Sequence, residues 1–393
     1  MSWENVRLDD LCKMNSGGTP SRSNLSFYNG QIPWAKISDI ENADGGIIKY
    51  TEEHISSEGL ASINNRIFSK GILLLAMYGS VGKVAFTGME MATNQAILGI
   101  QIKDEKKIDY SYLKYWFQTI KEQLLNRAVG VALQNISLGI VKELEIPLPP
   151  LHIQKSIVEI LDAADALKRK DQALLKKYDE LAQAIFIDMF GDPVKNEKGW
   201  EVKKLEEICD VRDGTHDSPK YYSNGYPLVT SKNIKKEEID FSDINFISKA
   251  DYELINKRSK VDWGDILMPM IGTIGNPVIV DIEPEFAIKN VALIKNNFTD
   301  NKILTEVLYC LLSGSYFNWY SANNNKGGTQ KFLSLGDIRN MPVIVPSKNV
   351  QIEFVLKIKN LKSGNNLVKD SYMLSNCVFN SLIQKAFKGE LVK

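Results

Sequence analysis

Trp3–Cys12 reads WENVRLDDLC and Trp200–Cys209 reads WEVKKLEEIC. The two stretches share the tryptophan, the following glutamate, the acidic pair and the closing cysteine. The same order continues along the chain at an offset of 193 to 197 residues. Asn29-Gly30 before Ile32-Pro33 answers Asn224-Gly225 before Tyr226-Pro227. Gly71–Gly82 (GILLLAMYGSVG) answers Gly264–Gly275 (GDILMPMIGTIG), Ser137-Leu138 answers Ser334-Leu335, and Pro149 with Gln154 answers Pro346 with Gln351. So long a period exceeds the 20–50 residues of solenoid units. Each copy is therefore a domain plus an appended segment. Either the function is duplicated along with the fold, or an old duplication persists for stability alone.

Each copy opens with strand-like runs punctuated by Gly and Asn. These are Gly71–Ala76, Val84–Thr87 and Ala96–Ile100, then Ile266–Met270, Val278–Asp281 and Val291–Ile294. Apolar residues at Leu113, Trp116, Phe117, Ile120 and Leu124 predict one helix over Tyr110–Leu125, with a counterpart from about Lys302 to Trp319. The heads are expected to be α+β and strand-rich.

Each copy closes with four-three spacing. In the first it runs through Ile153, Ile157, Ile160, Ala164, Leu167, Asp171, Leu174, Tyr178, Leu181 and Ile185. In the second it runs through Phe354, Ile358, Leu361, Asn365, Val368, Tyr372, Ser375, Phe379, Leu382 and Ala386. Such spacing over more than four heptads predicts two long helices meeting along a coiled-coil seam. Pro149-Pro150 and Pro346 precede the helices, and Gly191-Asp192-Pro193 stops the first. Asp171 and Asn365 are polar at equivalent phase; they either fix register inside the seam or stay wet at its edge. Gly364, within Ser363–Asn366, either weakens a continuous helix or marks a short break.

The expected architecture is thus 1–150 as the first head domain, 151–190 as a central spacer helix, 191–347 as the second head domain and 348–393 as a C-terminal spacer helix. Neither apolar stripe is expected to be covered by its own small head, so the helices should pair antiparallel, with pseudo-two-fold symmetry. About 32 residues of helix span roughly 48 Å, or about 14 base pairs of B-DNA. A spacer of that length suits two readers on one duplex.

Composition narrows the function. The chain has 393 residues, 44% hydrophobic and 24% charged, which excludes disorder. The longest apolar run, Ile72–Met77, is too short to cross a membrane, and no basic-then-apolar leader opens the chain, so a cytoplasmic location is expected. Cys12, Cys209, Cys310 and Cys377 are isolated, and no metal site is expected. With 48 basic and 48 acidic residues, nucleic-acid binding requires local patches or a partner's positive field. Only His54, His152 and His216 occur, and no hydrolase, zinc-protease or phosphate-loop motif is present. Gly79–Lys83 lacks phosphate-loop spacing; it is either a turn presenting N–H groups to a phosphate or a plain turn.

Read together, these pieces resemble the specificity subunit of type I restriction-modification systems. The resemblance rests on Trp3–Leu11, Gly17-Gly18-Thr19-Pro20-Ser21, Ile32-Pro33-Trp34, Tyr78–Gly82 and Ile146–Pro150 leading into Gln154. The second copy adds Asp213-Gly214-Thr215-His216, Ser218-Pro219, Gly272–Gly275 and Val343–Pro346 leading into Gln351. It implies a non-catalytic subunit whose two target recognition domains each read half of a bipartite, asymmetric double-stranded DNA site. It also implies docking of two modification (methyltransferase) subunits, with restriction and motor subunits joining them. No cofactor is implied in this chain; S-adenosylmethionine, ATP and Mg would belong to those partners, and no membrane is involved. The rival reading is a protein-binding scaffold of dumbbell shape without DNA readout.

Asn, Gln, Lys and Arg suit base edges, and small polar residues suit phosphates. The candidate DNA contacts in the first domain are Thr19, Ser21, Lys36, Tyr78, Ser80, Lys83, Asn94, Gln95, Gln134 and Asn135. In the second they are Thr215, His216, Lys220, Lys232, Asn233, Thr273, Asn276, Lys289, Lys326 and Gln330. Asn94 has a competing role as a turn cap. His216 reads as a polar group and not as a general base, because no nucleophile accompanies it.

Overall fold

The structure, a computed structural model, describes residues 3–127, 135–235, 238–271, 274–296, 302–324 and 333–392. It divides into two compact units, Met1–Gln172 with Asp370–Lys393, and Ala173–Lys369.

In the first unit a five-stranded sheet runs in the order Cys12–Ser16, Ile97–Ile102, Leu73–Ala76, Val84–Thr87, Ile47–Ile48. Its first three pairings are antiparallel and the last is parallel. Leu73–Ala76 is buried along its whole length, which is why it reads as a continuous apolar run and not as an alternation. A three-stranded sheet sets Ile32–Ala35 between Glu53–Ile55 and Ala92–Thr93. Asn5–Arg7 pairs with Glu145–Pro147, which brings the start of the head to the foot of the central helix.

The second unit repeats this plan. Asp210–Asp213, Val291–Lys295, Ile266–Pro269 and Val278–Ile279 form an antiparallel sheet, and Tyr226–Thr230 lies between Asn245–Ile247 and Ala287–Lys289. Glu201–Lys204 pairs with Pro342–Val345. The helix expected over Tyr110–Leu125 is in fact two, Tyr110–Thr119 and Lys121–Arg127, parted at Ile120. Its counterpart is likewise split, into Thr305–Ser313 and Ser315–Asn324, where Gly314 turns extended. The apolar spacing continues across both joints, so periodicity alone did not expose them.

The central helix spans Leu151–Phe190 and the C-terminal helix Lys348–Phe387. Each has 40 residues, or roughly 60 Å at 1.5 Å per residue. Gly191, at φ 77°, ends the first in the left-handed conformation that glycine tolerates.

Within the first unit Ile157 and Leu161 share one core with Phe379, Ile383 and Ala386, while Asp171 meets Ser371 and Ser375, so the two segments run antiparallel. Within the second unit Phe186 and Phe190 pack on Phe354 at ring-centroid distances of 5.7 and 5.0 Å. There Gly364 lies against Tyr178, again with opposite chain directions.

Two expectations need correction. The heads do cover the ends of the helices. Ile157 and Leu161 share a core with Tyr112 and Tyr115 of the head that precedes them, and Phe354 and Val355 share one with Leu308 and Leu311 of theirs. Of the two readings left open at Ser363–Asn366, the continuous helix holds, since Lys348–Phe387 runs through it unbroken. Gly364 is there because a Cβ would stand 2.6 Å from the Tyr178 hydroxyl.

The second correction concerns the seam of the central helix. Ile157 is buried and Tyr178 half-buried, but Ile160, Leu167, Leu174 and Leu181 are 36, 51, 39 and 47% exposed. Their neighbours Leu161, Lys168, Leu175 and Ala182 turn inward instead, and Lys168 lays its ammonium over Phe379 at 4.1 Å. On the C-terminal helix Ile358, Leu361, Val368, Tyr372 and Leu382 are half-buried and Phe379 is buried, as the spacing predicts.

Asp171 is buried inside the first unit's helix pair and accepts hydrogen bonds from Ser371 Oγ at 3.0 Å and Ser375 Oγ at 2.9 Å. It is a satisfied core group and not a wet edge. Ser371→Ala with Ser375→Ala leaves its carboxylate without these donors, at an expected cost of about 1–3 kcal/mol. Thermal unfolding of the double variant at the wild-type midpoint would contradict that.

Candidate nucleic-acid interface

Four segments of the first unit meet through their backbones. Gly17 N donates to Ile97 O at 3.0 Å, Gly18 N to Thr93 O at 2.8 Å, Met77 N to Ala96 O at 2.8 Å and Ile136 N to Met77 O at 3.0 Å. These bonds bring Thr19, Tyr78, Asn94, Gln95 and Asn135 into one surface patch, with Tyr78 and Asn135 paired as an isolated bridge. Thr19 Oγ1 donates to Gln95 Oε1 across the two loops. Asn94 caps its own turn, accepting from Ala96 N at 3.1 Å.

Three of the remaining first-domain candidates, Lys36, Ser80 and Lys83, are held by acids. Lys36 starts at the patch edge, where Ala35 O accepts from Asn94 N, but its ammonium binds Glu53 at 2.8 Å and Glu52 at 3.2 Å. Those carboxylates raise its pKa. Ser80 donates to Glu41, and Lys83 lies 3.6 Å from the same carboxylate. Ser21 is exposed and bonds Ser23 at 2.7 Å. Gln134 lies outside the described residues.

In the second unit Gly214 N donates to Val291 O and Thr215 N to Ile288 O, both at 3.0 Å. This is the Gly17 and Gly18 pattern one domain later. It places His216 where Thr19 stands and Asn290 where Gln95 stands. His216 bridges two oxygens: Nδ1 to Asn290 Oδ1 and Nε2 to Asp213 Oδ2, each 2.8 Å. Asp213 is buried and also accepts from Arg258. Lys289 Nζ donates to Ser218 Oγ at 2.5 Å, and Thr215 Oγ1 accepts from Asp217 N.

Lys220 sits 5.6 Å from the Tyr222 ring, Lys232 pairs with Asp243 at 3.1 Å, and Asn276 is exposed. Asn233 has no capacity to spare. It is buried, accepts from Thr230 N and Oγ1, and donates to Asp240 O and Asp243 O, so it builds a turn. Thr273, Lys326 and Gln330 lie outside the described residues.

Sequence reading passed over the arginines. Arg66 donates to Ser16 O at 3.2 Å and Gly17 O at 3.0 Å, from the foot of the first loop. Arg22 stacks 4.3 Å over Tyr28 while bonding Glu53 at 2.7 Å. Arg258 reaches Asp213 from a distant helix. Arginine is the commonest reader of guanine. The detectable signal was Asn64-Asn65 before Arg66, two residues at φ 58° and 51° that turn the chain back toward the loop.

Two acceptors on one imidazole favour the doubly protonated ring. The Asn290 bond, and then the Asp213 bond, raise the His216 pKa above its ordinary 6.5, while burial and Arg258 oppose them. A raised value means the contribution is complete below the unfolded pKa and lost as pH rises through the folded one. The second unit should therefore lose thermal stability between pH 6 and pH 8 relative to a His216→Gln variant. Parallel pH profiles for the two proteins would refute this.

The chain matches the family model of the type I restriction modification DNA specificity domain twice, over residues 1–177 and 197–371. The chain belongs to this family. Among curated relatives, the type I restriction enzyme MjaIX specificity subunit of Methanocaldococcus jannaschii is 29% identical, over 99% of this chain and 93% of that one. The EcoBI specificity subunit of Escherichia coli is 25% identical, over 99% and 86%. The crystal structure of the type I restriction-modification S subunit from M. genitalium superposes with a TM-score of 0.51 at 16% identity, covering 98% of this chain and 96% of that one. That likeness concerns the fold. Both specificity domains carry the loop pairs described above. Among the described residues no helix is long and apolar enough to cross a membrane.

Proposed function

We infer that the two specificity domains read the two halves of a bipartite, asymmetric double-stranded DNA target. The carrying observation is one backbone frame with unlike side chains: Thr19 with Gln95 in the first domain, His216 with Asn290 in the second. A frame fixed by backbone bonds positions a reader, and the side chains on it specify. Thr/Gln and His/Asn offer different donors and acceptors, so the half-sites differ.

The subunit itself performs no catalysis. It docks two modification subunits that supply S-adenosylmethionine for adenine methylation, and restriction and motor subunits that use ATP and Mg join them in the cytoplasm. The helices present seats for such partners. Ile160 and Leu167 are exposed in the first unit, Leu174 and Leu181 in the second, each pair one heptad apart. A protein scaffold without DNA readout would leave the unlike loop pairs on a shared frame without a purpose.

The test is methylome sequencing of cells expressing the chain with its modification subunit. Exchanging residues 1–150 for another specificity domain changes one half of the methylated target and leaves the other. Removing four residues of the central helix after Leu167 alters only the spacing. A palindromic target, or simultaneous change of both halves, would sink the assignment.

A further inference from the structure

The second unit holds a cavity of about 150 Å³ where both long helices pass the helix Thr305–Ser313. It shares no residue with the His216 loop. Its origin follows from comparing the two units position by position. Gln154 accepts from Asp109 N, and Gln351 accepts from Leu304 N, which fixes the correspondence. Six residues beyond these amides stand Tyr115 in the first unit and Cys310 in the second. Four heptads beyond the glutamines stand Ala182 on the central helix and Phe379 on the C-terminal helix. Opposite Leu73 and Ile266 in the sheets stand Phe86 and Ile279.

The first unit thus fills the position with Phe86, Tyr115 and Phe379, the last two with rings 6.1 Å apart. The second has Ile279, Cys310 and Ala182, and a space remains.

We propose that this space is a binding site for a small organic cation built on a single aromatic ring. Its volume matches that of cavities that admit benzene, about 150 Å³. Its walls are mainly apolar, and the ring of Tyr178 lines it, a face suited to a cation. Among its lining residues the carboxylates of Asp281 and Glu306 stand against the ammonium of Lys362. Asn365 also lines it, and its side-chain oxygen is buried without a hydrogen-bond partner among the described residues. A buried acceptor left unmatched is costly, and an N–H donor from the ligand would relieve it. Charge and the vacant acceptor select an ammonium over a carboxylate.

Calorimetric titration of the full chain with benzylamine should give saturable one-to-one binding of roughly millimolar affinity. Benzoate should bind at least tenfold more weakly. Ala182→Phe, which copies the first unit's filling, should weaken benzylamine at least tenfold. Asp281→Asn with Glu306→Gln, which leaves the packing intact, should weaken it at least threefold. Absent or non-saturating benzylamine binding, equal affinity for benzoate, or an affinity unmoved by the carboxamide pair would each overturn the proposal.

Discussion

Gln351→Leu is expected to lower the stability of the second unit by at least ~3 kcal/mol, or about 6–12 °C in its unfolding midpoint. The fully buried Gln351 amide accepts from Leu304 N at 2.7 Å and donates to Lys302 O at 2.8 Å and Pro346 O at 2.7 Å. Leucine fills the volume but orphans three backbone groups out of reach of water, each worth about 1–3 kcal/mol. Gln154 does the same work in the first unit: it accepts from Asp109 N at 2.9 Å and donates to Lys107 O at 2.8 Å and Pro149 O at 2.9 Å. Gln154→Leu should therefore destabilise the first unit to a similar degree. Each amide ties the foot of a long helix to the start of a head helix, so its loss should also loosen the helix from the head. Differential scanning calorimetry decides it. A midpoint within a degree of wild type in both variants would mean that these buried bonds contribute little.

Gly17→Ala should abolish reading of one half-site and spare the other. A Cβ at Gly17 would stand 2.1 Å from Thr93 Oγ1 and 2.3 Å from Thr93 O. At Gly214 it would stand 2.3 Å from Ile288 O. Backbone cannot yield as a flexible side chain can, so the loop must lift from its strand. The Thr19–Gln95 contact, or the His216–Asn290 contact, is then lost. With several base contacts displaced, each worth about 1–3 kcal/mol, methylation or binding at a cognate site should fall roughly 100- to 1,000-fold. Discrimination at the untouched half-site should persist. Binding by Gly17→Ala that still distinguishes correct from incorrect bases in both halves would show that this loop does not read DNA.

The Gly17 and Gly214 positions were visible in the sequence as members of a repeat, but their reason was not. Neither needs a left-handed backbone; both need empty space beside another strand, and only the fold brings that strand there. The glutamines behaved likewise. Gln154 and Gln351 stood out as recurring letters five residues after a proline, yet their role depends on three carbonyl and amide groups supplied by other segments. Asn233 shows the opposite outcome. Its amide looked suited to a base edge and is wholly used inside a turn.

The two seams mark the boundary most clearly. On the C-terminal helix the spacing identifies the packed stripe, although Leu356, Leu367, Leu374 and Val378 lie exposed beside it. On the central helix Ile160-Leu161 and Leu174-Leu175 offer two adjacent apolar choices, while Leu167 and Leu181 outrank Lys168 and Ala182 in hydrophobicity. Packing reverses that order, because Lys168 lies along Phe379. Chain order alone, then, settled the duplication, the α+β heads, the two long helices and their proline and glycine limits, since periodicity and backbone stereochemistry are local. Which face of the central helix turns inward, which polar side chains meet across loops, and where a cavity opens were decided by tertiary structure. Those outcomes depend on the volume and hydrogen-bonding capacity of residues far away in the chain.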